Sequence, residues 1–179
     1  MNVRIALATA LRVARQLRRD PRTIALILVV PCLLIWLLGE IYGTESKTFT
    51  TIAVPMPGLF PFIIMFLITS ITMLRERTSG TLERLMTPPM HKLDLLIGYG
   101  LAFAAVAAMQ GAVVSAVSYW LIGLETAAPM GIVVLLAVAN AICGMALGLL
   151  VSAFARTEFQ AVQFMPALIT PQLLLCGLF

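Results

Sequence analysis

Long apolar stretches alternate with short charged ones along this chain. Residues without a formal charge run over Thr23–Gly39, Thr48–Leu74, Leu95–Leu124, Thr126–Ala155 and Phe159–Phe179. An apolar run of about 18 or more residues is long enough for a helix to cross the hydrocarbon core. The pattern therefore predicts five spanning helices, at about 23–43, 52–74, 95–124, 128–155 and 160–179, in one domain over 1–179. The first reaches span length by continuing through Glu40. Ahead of it, residues 2–19 ("NVRIALATALRVARQLRR") follow a different rule. At about 100° per residue, Arg4, Arg12, Arg15, Arg18 and Arg19 share one third of the helical wheel. Val3, Ala6, Ala10, Val13, Ala14 and Leu17 lie largely opposite, with Leu11 the exception. This is an amphipathic helix, suited either to lie in the membrane interface with its arginines at anionic headgroups or to serve as a simple basic anchor. Asp20-Pro21-Arg22 then breaks the helix before the first span.

Within the spans, Pro31 can kink the first, and Pro55, Pro57, Gly58 and Pro61 put a break or re-entrant turn at the start of the second. The third and fourth are rich in Gly, Ala and Ser, which let membrane helices approach closely, and Gly144-xxx-Gly148 is one small-xxx-small pair. Tyr119 and Trp120 sit where interfacial aromatics belong. Pro166 and Pro171 make the fifth span irregular.

Composition sharpens this picture. The chain is 61% hydrophobic and 11% charged, with a mean hydropathy of +1.03. Soluble domains carry about 25% charged residues, so the fold class is an all-α polytopic transmembrane bundle. Lysine and arginine gather in cytoplasmic loops. Arg4, Arg12, Arg15, Arg18, Arg19, Arg22, Arg75, Arg77, Arg84, Lys92 and Arg156 fall on one side of the predicted topology and Lys47 alone on the other. That places the N-terminus in the cytoplasm of a multi-pass cell-membrane protein. The net charge of +4 is accounted for by the lipid bilayer and needs no nucleic acid. Phe179 lies inside the fifth apolar run, so the chain reads as truncated at its C-terminus, with five spans present of six.

Several chemistries lack their residues. There is no phosphate-binding loop of the G-x-x-x-x-G-K-[ST] type and no H-E-x-x-H, the one histidine being His91. Cys32, Cys143 and Cys176 sit alone in separate spans, without disulfide or metal-ligand spacing. No catalytic set, metal or cofactor is expected. The uncharged spans hold no ionisable Asp, Glu, Lys, Arg or His, which argues against an ion-coupled carrier. Their polar residues, including Gln110, Ser115, Asn140 and Gln163, could line a substrate path or simply bond neighbouring helices. If the chain transports, the energy comes from another subunit.

One cytoplasmic stretch stands out: "RERTSGTLERLMTPPMHKLD", residues 75–94, holds seven of the twenty charges. Gly80 separates it from the second span, and Thr81–Thr87 can form a short helix. Leu82, Leu85 and Met86 share one face of that helix, and Pro88-Pro89 stop it. Arg75, Arg77 and Glu83 could tie this island to its neighbours or help it dock on a partner.

The pattern Glu76-Arg77-x-x-Gly80-Thr81-Leu82-Glu83, then Leu85 and Thr87-Pro88, resembles the signature of the ABC-2-type transporter permeases, the multidrug and daunorubicin-resistance-like membrane subunits. "FMPALITPQLLLCGLF" in the fifth span is similar to a further region of that family. The resemblance implies a coupling helix docking on a separate ABC ATP-binding subunit through Glu76, Arg77, Gly80, Thr81, Leu82, Glu83, Arg84, Leu85, Met86 and Pro88. It implies two permease copies per transporter, with ATP hydrolysis in the partner and export of a hydrophobic drug, lipid or glycoconjugate. The alternative is a membrane scaffold or assembly protein whose island binds something else.

Overall fold

In the computed structural model, residues 3–79, 92–124 and 128–175 are described, and among them every regular element is a helix. In order these are α1 (Val3–Arg18), α2 (Pro21–Tyr42), α3 (Lys47–Ala53), α4 (Met56–Thr78), α5 (Lys92–Trp120), α6 (Met130–Phe154) and α7 (Glu158–Leu175). Among the described residues four segments are long and apolar enough to cross a membrane: Pro21–Tyr42, Lys47–Thr78 (α3 running into α4), Asp94–Trp120 and Met130–Phe154. The all-α multi-pass architecture expected from the sequence is the one found. The segment expected to form the fifth span, 160–179, is helical over its described part as α7, and its last four residues lie outside the described ones.

The helix boundaries follow local chemistry. Asp20 caps α2: its carboxylate accepts the Arg22 and Thr23 N–H groups and the Thr23 hydroxyl, the last at 2.6 Å, while Pro21 occupies the first helical position. The Thr23 hydroxyl and N–H hold that carboxylate below its ordinary range. Gly43, at φ 76°, ends α2. Ser46 caps α3 by accepting the Phe49 N–H at 3.0 Å. The break expected near Pro55 falls between α3 and α4, where Val54 and Pro55 interrupt the helix. At its other end α4 continues to Thr78, past Arg75, Glu76 and Arg77, which the sequence pattern assigned to the island. Those charges stay helical because each finds a partner on a neighbouring helix.

The most extensive packing joins α4 to α6. Gly144 and Gly148 lie directly on the backbone of Phe62 and Phe66, and a Cβ at Gly148 would sit 2.6 Å from the Phe66 carbonyl oxygen. The small-xxx-small pair is thus a point of backbone contact, of the kind that stabilises helix pairs where lipid supplies no hydrophobic drive. A second close approach seats α1: a Cβ at Gly98 of α5 would meet Thr9 Cβ at 2.6 Å and the Ala6 carbonyl at 2.8 Å. The Val13 face of α1, with Ala10 and Leu17, packs there against Met73, Leu95 and Tyr99. Leu7 and Leu11 remain 51% and 56% exposed on the adjoining side of the helix. A separate core around Ile35, Phe49, Leu59 and Val114 holds the far end of the bundle.

Gly148→Val should destabilise the bundle by about 1–3 kcal/mol, because the added atoms overpack a backbone contact. Gly131→Ala, where nothing lies within 4 Å, should leave stability nearly unchanged. Thermal unfolding of the two variants in detergent checks the difference.

Candidate functional site

Successive helical residues point about 100° apart, so three consecutive side chains can address three neighbours. Arg75, Glu76 and Arg77, in the last turn of α4, do so. The Arg75 guanidinium grips Glu158 at the start of α7 through two parallel bonds, Nε–Oε1 at 2.6 Å and Nη2–Oε2 at 3.0 Å. This fork-on-fork geometry is the strongest arrangement of the pair, and the Arg75 hydrogen bond holds Glu158 below its ordinary carboxylate range. Arg77 Nη1 donates to the Ser152 carbonyl in the last turn of α6. Carbonyls there have no intrahelical donor, and a cation is favoured by the helix dipole.

Glu76 turns inward and is 7% exposed. It reaches the Tyr99 hydroxyl of α5, which also accepts Arg12 Nη2 of α1 at 2.6 Å, and the Arg12 guanidinium lies 5.8 Å from the Tyr99 ring centroid. A buried carboxylate is costly without compensation, and Arg12 provides the opposing charge through the shared phenol. One oxygen, Glu76 Oε2, has no hydrogen-bond partner among the described residues. The last turn of α4 thus fastens α7, α6, α5 and α1 at one level of the bundle, where the chain leaves for the island. Arg75 and Arg77 tie α4 to neighbouring helices, one of the two roles the sequence left open for them. Asp94, read as part of the island, is buried in the first turn of α5. The expected helix at Thr81–Thr87, with Gly80, Thr81, Leu82, Glu83, Arg84, Leu85, Met86 and Pro88, lies outside the described residues.

The four polar residues considered for a substrate path are not brought together. Gln110 is fully buried, and its Nε2 donates to the Ile27 carbonyl of α2 at 2.9 Å. Ile27 lies four residues before Pro31, which has no N–H to offer that carbonyl. Gln110 therefore supplies from α5 the donor that proline removed from α2. Ser115 is buried, and its hydroxyl has no hydrogen-bond partner among the described residues. Gln163 faces outward on α7. Asn140 lines a cavity of about 650 Å³ with Pro57, Gly58, Ala137, Gln172 and Leu175, among others. Its Nδ2 donates to the Gly58 carbonyl at 3.1 Å, and its Oδ1 accepts Gln172 Nε2 at 2.7 Å. Gln172 was missed in the sequence, although a polar residue directly after Pro171 in an apolar run was the signal for it. Tyr99 was also missed; the glycine before it, Gly98, marks a position that a neighbour approaches. Among the described residues no group of three or more His, Cys, Asp or Glu is placed to hold a metal ion.

Comparison with known proteins gives a consistent family. The profile described as "ABC-2 type transporter" matches residues 6–179. ABC transporter G family member 20 of Dictyostelium discoideum is 27% identical over 138 residues, which are 76% of this chain and 19% of that protein. The probable multidrug ABC transporter permease YbhR of Escherichia coli K12 is 27% identical over 125 residues, 68% of this chain and 34% of that protein. The chain thus spans about a fifth to a third of the length of these relatives. No solved structure matches it significantly.

Two measurements test the site's polar links. Because Glu158 is held below its ordinary value of 4.5, its contribution to stability is complete above that value and is lost as pH falls through the lowered one. Between about pH 5 and about pH 3, the melting temperature of the natural chain should drop further than that of Glu158→Gln. Gln110→Leu should cost about 1–3 kcal/mol by orphaning the Ile27 carbonyl. In a Pro31→Ala background the restored Ala N–H serves that carbonyl, and the cost of Gln110→Leu should largely disappear in a double-mutant cycle.

Proposed function

The chain belongs to the ABC-2 type transporter family, and on that premise we propose that it is the membrane-spanning permease part of an ATP-driven exporter. In this reading a separate ATP-binding subunit docks on the island at residues 75–94, and a second permease copy completes the transporter. The sequence supports the division of labour, since no phosphate-binding loop is present in this chain. The observation that carries the proposal is the last turn of α4. A push on the island enters the bundle at Arg75–Arg77, and from there it is felt by α7 through Glu158, by α6 through Ser152, and by α5 and α1 through Tyr99 and Arg12. Leu82, Leu85 and Met86 form the apolar face that enters the partner, and Glu83 and Arg84 set its register.

The cargo is a hydrophobic drug, lipid or glycoconjugate, and the multidrug label of the bacterial relative favours the first. The cavity beside Asn140 and Gln172, apolar apart from a few polar groups, is the part of the path that suits it. The clustering of eleven of the twelve basic residues on one side supports a cytoplasmic N-terminus and island in a cell-membrane protein.

Leu85→Asp puts a charge into the docking face. Co-expressed with its ATP-binding subunit in the full-length protein, this variant should lose complex formation and cargo-stimulated ATP hydrolysis by about 30-fold or more, as for an interface hot spot. Unchanged assembly and hydrolysis would overturn docking through this helix. Assembly with a partner that hydrolyses no ATP, with no export from vesicles, would instead establish the scaffold reading.

A further inference from the structure

The amphipathic α1 does more than lie against the bundle. Its Val13 face is fixed on α5 by the backbone contact at Gly98, so the helix cannot roll about its axis. Rotation away from that face brings first the exposed Leu7 and Leu11, then the arginines. Arg15 and Arg19 stand one turn apart, with Arg12 three residues before Arg15, and together with Ala8 and Gln16 they line a groove of about 440 Å³. The small Ala8 side chain leaves room between the long cationic ones. Arg12 is anchored at one edge by its bond to Tyr99.

Arg12 is matched by Glu76 through Tyr99, but the charges of Arg15 and Arg19 have no such counterpart among the described residues. No acidic residue precedes Asp20 in the sequence, and the Asp20 carboxylate is engaged in capping α2. Among the described residues neither Arg15 nor Arg19 meets a carboxylate at ion-pair distance. A guanidinium fork matches a phosphate geometrically and binds it through two parallel bonds. With an apolar stripe beside it on a helix of interfacial character, the groove sits where lipid headgroups lie.

We propose that the Arg12–Arg15–Arg19 groove is a binding site for the headgroup phosphate of an anionic phospholipid from the surrounding leaflet. Arg15 and Arg19 grip the phosphodiester, while Leu7 and Leu11 receive the first part of the acyl chains. Lipids with a net negative charge are preferred to zwitterionic ones, because the groove offers several cations and no anion for a choline or ethanolamine group. The site is on the same helix, and includes the same Arg12, that meets Tyr99 beside the last turn of α4.

The test is native mass spectrometry of the purified full-length protein titrated with phosphatidylglycerol or phosphatidylcholine. The natural protein should retain phosphatidylglycerol in preference to phosphatidylcholine. Arg15→Gln/Arg19→Gln should weaken phosphatidylglycerol binding roughly 30-fold, from the usual attraction per basic residue near an anionic surface. Arg156→Gln, which removes an exposed arginine elsewhere, should leave it within about twofold, the size of a non-specific change in net charge. The proposal is overturned by equal retention of the two lipids, by unchanged binding in the double variant, or by an equal loss in Arg156→Gln. Displacement of the lipid by inorganic phosphate alone would also overturn it, by showing a soluble-anion site rather than a lipid site.

Discussion

The bundle rests on α4 and α6 meeting backbone to backbone. In a membrane, lipid tails solvate apolar side chains as well as other helices do, so association depends on close packing and polar contacts. Gly144 and Gly148 permit that closeness, with Phe62 meeting the first and Phe66 the second, so the two helices run in the same direction in a defined register. That register brings the end of α4 near the end of α6. Arg77 can then reach the Ser152 carbonyl, and Arg75 can reach Glu158 just beyond the α6–α7 turn. Shift the pair by one turn and neither link would form.

Polar side chains inside an apolar bundle invite a functional reading, and here they divide by what they complete. Gln110 replaces a donor lost to proline, Arg77 serves a helix terminus, and Tyr99 lets a buried carboxylate and an arginine share one hydroxyl. Asn140 and Gln172 differ from these: they bond to each other, and Asn140 also to Gly58, while still lining open space. The first group keeps the helices in place, and the second has spare hydrogen-bonding capacity facing a cavity.

Much of the architecture was legible in the sequence because its signals are local. Uncharged runs give helices, Asp20-Pro21 gives a helix start, and Pro55 gives the break between α3 and α4. The close approach at Gly144 and Gly148 was visible as a spacing but not as a contact, since such pairs recur by chance in small-residue helices. What stayed hidden was relational. Nothing near Arg75 announces Glu158, 83 positions later, and Glu76 reads as a solvated charge until Tyr99 and Arg12 are seen beside it. The extension of α4 through three charges failed the simple rule that charges end a span, because those charges are matched by partners far along the chain.

The bond between Gln110 and Ile27 also has a bearing on the order in which the protein is made. Donor and acceptor are separated by 83 positions, and synthesis delivers the acceptor first. When α2 enters the bilayer, its proline has already left the Ile27 carbonyl bare, and α5 does not yet exist. A carbonyl in lipid without a partner is costly, and within the finished bundle Gln110 is the group that serves it. The proline therefore leaves α2 with an acceptor whose partner lies in a helix made later, so that α2 is complete only in the company of α5.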